Sequence, residues 1–224
     1  MFPRIITIDG PSGSGKGTVS RQVANRLGWR LLDSGALYRL VAHAGQQQRL
    51  TADDEQGHAR LAQNLDVAFG LSHDGGEAIR LAGVEVSRQI RTEQAGEGAS
   101  RVAAMPAVRA ALLERQRGFA GPPGLVADGR DMGTVIFPAA PLKIFLTASA
   151  EVRALRRYNQ LKDKGLGANL AALSLEIAER DRRDASRPIA PLRPADDAVI
   201  VDSTSMTVDA VVARVLELAA HVSR

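Results

Sequence analysis

Gly10, Pro11, Ser12, Gly13, Ser14, Gly15, Lys16, Gly17 and Thr18 form a run whose residue types and spacing could do chemistry. They read G-x-x-x-x-G-K, in which glycines let successive backbone N–H groups turn toward one anion and the lysine reaches a nucleotide's outer phosphates. The context suits that use. RIITI at 4–8 is a β-branched run, and the segment after the loop repeats Val19, Val23 and Leu27 at helical spacing. A strand, a glycine loop and a helix N-terminus together bind donor phosphates. One position departs from the general pattern. Gly17 stands where Ser or Thr normally holds magnesium, and the hydroxyl comes one residue later at Thr18, so the metal's direct ligand is left unknown.

The arginines carry the second signal. Arg130 and Asp131 follow a predicted parallel strand in DGRDMGTVIFP, at the carboxyl edge where open α/β sheets bind ligands. In RDRRDASRP, Arg180, Arg183, Asp184 and Arg187 stand at i, i+3, i+4 and i+7, hence on one helical face before Pro188. Cations sharing a face repel one another and are relieved by anionic oxygens opposite them; the bland alternative is a solvated, salt-bridged helix. Arg153, Arg156 and Arg157 form a second group, and the KDKG stretch at 162–165 reads as a short lid between two helices. Asp33, Ser34 and Tyr38 follow the second predicted strand and are expected to line the acceptor side.

These residues need a scaffold to converge, and the rest of the chain predicts one. Leu31-Leu32 is a second strand, ALYRLVAHAG a helix, LVADGRD and LKIFLTA further buried strands, and AVIVDST the fifth. Helices are expected near 107–117, 149–163 and 169–187, with VDAVVARVLELAAHV as the terminal amphipathic helix. The fold class is α/β, a five-stranded parallel sheet flanked by helices, with a small antiparallel β insert and a short helical lid; the GKGT form of the loop at 15–18 resembles that of P-loop nucleoside monophosphate kinases. From about 51 to 93 the texture is that of short strands, with a turn at Asp74-Gly75-Gly76. The expected organisation is a kinase core of 1–40 and 95–224, its lid at about 153–187, around an inserted acceptor-binding lobe at 41–94.

Length and composition agree with one substantial core. The chain has 224 residues, 45% of them hydrophobic and 24% charged, too apolar for a disordered segment. Cysteine is absent, which excludes disulfides and thiolate metal sites. No stretch reads as a signal peptide or reaches about 18 apolar residues, so a cytoplasmic location is expected. The four histidines, His43, His58, His73 and His221, are scattered without ligand spacing, and Trp29 and Met105 read as packing or loop residues.

DGPSGSGKGT, LLDSGALYR, IRTEQ followed by ASRVAAMPAVR, DGRDMGTVIFP and RDRRDASR occur in this order, and together they resemble bacterial cytidylate kinase over nearly the whole chain. The resemblance implies transfer of the γ-phosphoryl group of ATP, with Mg2+, to CMP or dCMP by a monomer that binds neither nucleic acid nor membrane. It implies base contacts from Ser100, Arg109 and Asp131, acceptor-phosphate contacts from Arg130 and Arg187, and a place near the sugar for Arg180 and Asp184. Cytosine offers an amine donor at N4 and acceptors at N3 and O2, which a carboxylate and donor groups can match. Lys16, Arg130, Arg187 and the lid residues Arg157 and Arg183 are then the charge-stabilising set. Leu155 departs from the family pattern, which has His there, and no proposed contact depends on it. The rivals are a P-loop kinase of another acceptor such as AMP, UMP or shikimate, and a nucleotide-dependent nucleic-acid-binding protein suggested by a pI near 9.9. Aromatic residues at 4% are few for base stacking.

Overall fold

The computed structural model describes residues 4–71, 77–163 and 167–222. The turn expected at Asp74-Gly75-Gly76, His73, and Lys164-Gly165 of the KDKG stretch lie outside the described residues. The chain divides into two compact units, 1–33 with 116–224, and 34–115.

The first unit is built on β1 (Ile5–Asp9), β2 (Arg30–Asp33), β6 (Leu125–Gly129), β7 (Leu142–Thr147) and β8 (Val199–Asp202), in the order β2-β6-β1-β7-β8. All pairings are parallel. β1 and β6 are buried throughout, as strands covered on both faces must be, and this explains their largely apolar sequences. α1 (Lys16–Leu27) and α8 (Val208–Val222) supply Val19, Val23, Val211, Val212 and Val215 to one core with Ile6, Ile8, Ile144 and Leu146 of the sheet. Trp29 packs against the same cluster. α6 (Ala150–Asp163) and α7 (Leu170–Ser186) pack on each other. From β1 the chain crosses to one edge at β2, whereas from β6 it passes to β7 on the other side of β1. Connections that leave in opposite directions open a crevice at the carboxyl ends of these strands, where Asp9, Asp33 and Asp128 all end or approach the end of a strand.

The second unit contains α2 (Ser34–Gln47), α3 (Glu55–Gln63), the antiparallel strands β3 (Val67–Leu71), β4 (Glu77–Leu81) and β5 (Val84–Glu85), α4 (Glu93–Val102) and most of α5 (Pro106–Arg117). Two of its helices were not legible as periodic segments. α3 is capped by Asp54, which accepts from Gly57 N at 2.7 Å, and α4 by Thr92, which accepts from Ala95 N at 3.2 Å. Both rely on small residues for close packing: a Cβ on Gly98 would meet Ala42 at 3.1 Å. The VEVSRQI segment forms only the two-residue β5 and then a 3-10 turn at Gln89–Arg91, held by Arg39 Nη1 donating to Ile90 O at 2.7 Å. No described helix is long and apolar enough to cross a membrane.

Candidate active site

β1 delivers the chain to Gly10, whose φ is 155° and where a Cβ would stand 2.0 Å from Leu146 O; only glycine lets the loop leave the strand so close to β7. At the other end Gly15, at φ 90°, precedes α1 with no side-chain cap, leaving the helix's first N–H groups to the loop. Lys16 follows. It is 9% exposed, and its Nζ donates to Pro11 O at 3.0 Å. Burial first, then Arg130 and Arg180, push the Lys16 ammonium down to about 7 against the opposing pull of Asp128 and Asp184. A lysine under that strain is waiting for anions.

This has a measurable consequence. At about pH 8 Lys16 is mostly neutral in the free protein, and phosphates bound beside it restore its proton, so ATP binding is expected to take up close to one proton. Calorimetric titration in two buffers of different ionisation enthalpy reads that uptake. Its absence, or its survival in Lys16→Met, would remove the assignment.

Beside the loop lies a cleft of about 320 Å3, lined by Gly13, Ser14, Gly15, Thr18, Arg156, Arg157, Gln160, Ser203, Met206 and Val208 among others. Polar backbone on one wall and Met206, Val208 and Val211 on another suit a phosphate-bearing group with a flat apolar body. Ser203, Met206 and Val208 were absent from the sequence reading, although their place just after the fifth strand was a signal. Arg156 fixes this wall, donating to Ser203 Oγ at 3.0 Å and Ser203 O at 2.6 Å. Arg157 opens on the cleft and bonds Gln160. Arg153 is 8% exposed, and it bonds Asp181, Ser12 O at 2.9 Å and Ala148 O at 3.0 Å, while Ser12 N donates to Asp181 Oδ1 at 3.2 Å. Arg153 and Asp181 therefore tie both α6 and α7 to the crest of the glycine loop.

A second cluster of the same unit centres on Asp184, 3% exposed near the end of α7. Arg130 Nε donates to its Oδ2 at 2.9 Å, and Arg187 Nε to its backbone oxygen at 3.3 Å. Burial pushes the Asp184 carboxyl up, but Arg130, Arg180 and Arg187 outweigh it and hold the group below its ordinary value. Arg130 and Arg180 are also the cations felt by Lys16, so the two clusters share one electrostatic field. The helix stops at Ser186, and Arg187 has φ −58° and ψ 134°, because the residue before Pro188 is driven out of the helical region. Arg187 nonetheless turns back to Asp184. Arg183 takes another direction, 3.9 Å from Glu179 on the preceding turn. Asp131, 3% exposed, heads a π-type turn at Met132–Ile136, and Asp33 ends β2 at the register position of Asp128.

In the second unit Ser34, Tyr38, Ser100 and Arg109 are all buried, on α2, α4 and α5. Arg109 Nη1 donates to Tyr38 Oη at 3.3 Å, and its guanidinium carbon lies 6.0 Å from the ring centroid. Buried polar side chains held to one another in this way are a preorganised donor and acceptor set.

Residues 6–221 match the family model described as cytidylate kinase. The chain belongs to the cytidylate kinase family. It is 60% identical to the cytidylate kinase of Pseudomonas paraeruginosa over 95% of this chain and 93% of that one. The figures are 59%, 93% and 93% for that of Methylococcus capsulatus, and 58%, 98% and 96% for that of Azotobacter vinelandii. For this family member, a metal carried on the donor phosphates fits the residues present. Among the described residues no group of three or more His, Cys, Asp or Glu is placed to cage a metal, and a Cβ on Gly17 would approach Asp128 Oδ2 at 3.2 Å. The carboxylate thus crowds the position of the usual hydroxyl, and Thr18 carries a hydroxyl one residue later.

Proposed function

We propose that this chain transfers the γ-phosphoryl group of ATP to CMP or dCMP, giving ADP and CDP or dCDP. The observation that carries the reading is the convergence of Lys16, Arg130, Arg180 and Arg187 on one buried carboxylate behind an uncapped glycine loop, in a member of this family.

The acceptor phosphate is already an anionic nucleophile, so the reaction needs alignment and charge neutralisation rather than a strong base. Loop N–H groups and Lys16 hold the donor's outer phosphates. Arg130 and Arg187 hold the acceptor phosphate, whose oxygen forms the new bond to the γ-phosphorus as the bond to the bridging oxygen of ADP breaks. Arg157 and, on leaving Glu179, Arg183 add positive charge from the lid helices to the transferred group as it passes. When bound with ATP, Mg2+ supplies further positive charge to the β- and γ-phosphates. Asp131 accepts from the cytosine amine; Ser100 and Arg109 serve the base, Arg180 and Asp184 the sugar, and Asp33, Ser34 and Tyr38 are further acceptor contacts. The reading carries with it a cytoplasmic, monomeric enzyme, whose substrates are metabolites of that compartment.

The test is ADP release from Mg·ATP with CMP, dCMP, UMP, AMP or no acceptor. Turnover with CMP and dCMP well above the rest is the expected result. UMP carries a carbonyl where cytosine has its amine, and a carboxylate repels it. Equal or better turnover of UMP or AMP would overturn the specificity, and activity independent of any acceptor would overturn the reaction.

A further inference from the structure

Asp9 ends β1 and has no part in the roles assigned above. It is 5% exposed, and both carboxylate oxygens are used: Oδ1 accepts from Met132 N and Oδ2 from Gly133 N, each at 2.8 Å. These N–H groups open the turn Met132–Ile136, and the first donors of any helical turn lack partners within it. Asp131, directly before the turn, offers no side-chain cap; its carbonyl accepts instead from Val135 N at 2.9 Å and Ile136 N at 3.2 Å. The cap therefore comes from another strand. The fit around it is close, since a Cβ on Gly133 would stand 2.8 Å from Thr7 Oγ1 and 3.1 Å from Lys143 Cδ. Neither of Asp9's hydrogen bonds goes to the glycine loop that begins one residue later.

We propose that Asp9 is a positioning residue for the acceptor: its carboxylate grips the Met132–Gly133 N–H pair and so sets Asp131 and Arg130 where they meet the acceptor's base and phosphate. This rests on the function proposed above. A side chain at position 9 with one acceptor leaves a buried N–H unmatched, and the turn relaxes to find another partner. Asp131 heads that turn and moves with it. A displacement of about 1 Å in a positioning group is enough to cost about a hundredfold in rate.

The environment adds a second readout. Burial pushes the Asp9 carboxyl up, the two N–H bonds oppose this, and the neighbouring Asp131 and Asp128 carboxylates raise it further, to about 7. Against Gly133 stand the Thr7 hydroxyl and the stem of Lys143, whose ammonium is held by Asp197 at 2.8 Å. A protonated Asp9 turns one acceptor into an O–H that faces an N–H, so half of the grip is lost as pH falls through that value.

The experiment measures kcat and KM for CMP, UMP and ATP between about pH 5.5 and 8.5 in wild type, Asp9→Asn and Gly133→Ala, with Asp131→Asn as the reference for a lost base contact. At the alkaline end Asp9→Asn is expected to raise the CMP KM about tenfold or more and to lower the CMP:UMP ratio of kcat/KM similarly, with the ATP KM within about twofold. Gly133→Ala, which displaces the same turn from the other side, should show the same split. In wild type the CMP:UMP ratio should fall as the solution is acidified through about 7. The ionisation of the nucleotide phosphate is common to both acceptors and cancels in that ratio. In Asp9→Asn the ratio should be flat. Equal movement of the ATP and CMP KM values, or a CMP:UMP ratio that neither variant nor acid alters, would overturn the proposal. If one variant fails to fold, the other and the wild-type profile still decide. A wild type that prefers another acceptor refutes the function reading alone, and Asp9 is then read on that acceptor's KM against that of ATP.

Discussion

Replacing Lys16 by Met is expected to remove most of the activity while making the nucleotide-free protein more stable. The loss follows from position: Lys16 is the cation at the first turn of α1, behind the glycine loop. Preorganised donors of this kind contribute about 3–4 kcal/mol to the transition state, so kcat/KM should fall by about two to three orders of magnitude. The gain in stability follows from burial. A folded-state value lowered from 10.5 to about 7 means that the unfolded chain binds the proton more readily than the native one. Below about 7 both states carry the charge, and the native state bears the full cost of burying it. As pH rises from there toward 10.5, the native lysine is already neutral and the cost fades. Thermal melts should therefore place Lys16→Met above wild type by the largest margin at and below neutral pH, with the margin closing in alkali. Equal melting temperatures at neutral pH would show that the site is not strained. Retained activity would show that Lys16 does not reach the transferred group.

Arg130→Met should cost a comparable amount, for a different reason. Its guanidinium donates to Asp184 at 2.9 Å while that carboxylate's side chain is only 4% exposed, so the arginine is aimed before any ligand arrives. Losing it should lower kcat/KM for CMP by about two to three orders of magnitude, or about 3–4 kcal/mol, with little change in ATP affinity. Arg130→Lys should recover little, because a single ammonium cannot both bond Asp184 through Nε and present a fork to phosphate. Stability should fall at neutral pH, and the difference from wild type should close in acid once Asp184 is protonated in both proteins. Asp184's lowered value contributes stability that is present above the unfolded value of 3.8 and lost as pH falls through the folded one. Without Arg130 burial counts for more, Arg180 and Arg187 still hold the carboxylate, and acid unfolding should begin at a higher pH. A variant with unchanged acid unfolding would mean that the pair is incidental, and one with an unchanged CMP KM and kcat would remove Arg130 from the acceptor phosphate.

Much of this molecule was written locally. The glycine loop is a stretch of backbone whose anion-binding shape depends on glycines at set spacings and on the strand and helix beside it, so Gly10 to Thr18 could be read without knowing what lay near. The same holds for the long apolar strands β1, β6 and β7 and for the helices α1, α6, α7 and α8, because burial on one or both faces leaves a period in the sequence. α3 and α4 left none. Their sequences, EQGHARLAQ and EQAGEGASRV, are held by caps and by small residues that admit a neighbouring helix, not by a large apolar stripe. The π-type turn after Asp131 was equally silent, since its cap, Asp9, lies more than a hundred residues away.

Which of the many polar residues meet is set by long-range packing. The sequence by itself marked Arg130, Arg180, Asp184 and Arg187 as candidates, and family membership followed from their motifs. It did not show that Asp184 is the hub, that Arg183 turns aside to Glu179, or that Arg153 is committed to Asp181 and Ser12. Nor did it point to Ser203 and Met206 as one wall of the cleft beside the glycine loop. Those pairings are made by the strand order β2-β6-β1-β7-β8, which brings the ends of strands distant in sequence to one edge. Local spacing records which face of its own element a side chain occupies, whereas the partner across the crevice is set by the order in which the strands assemble.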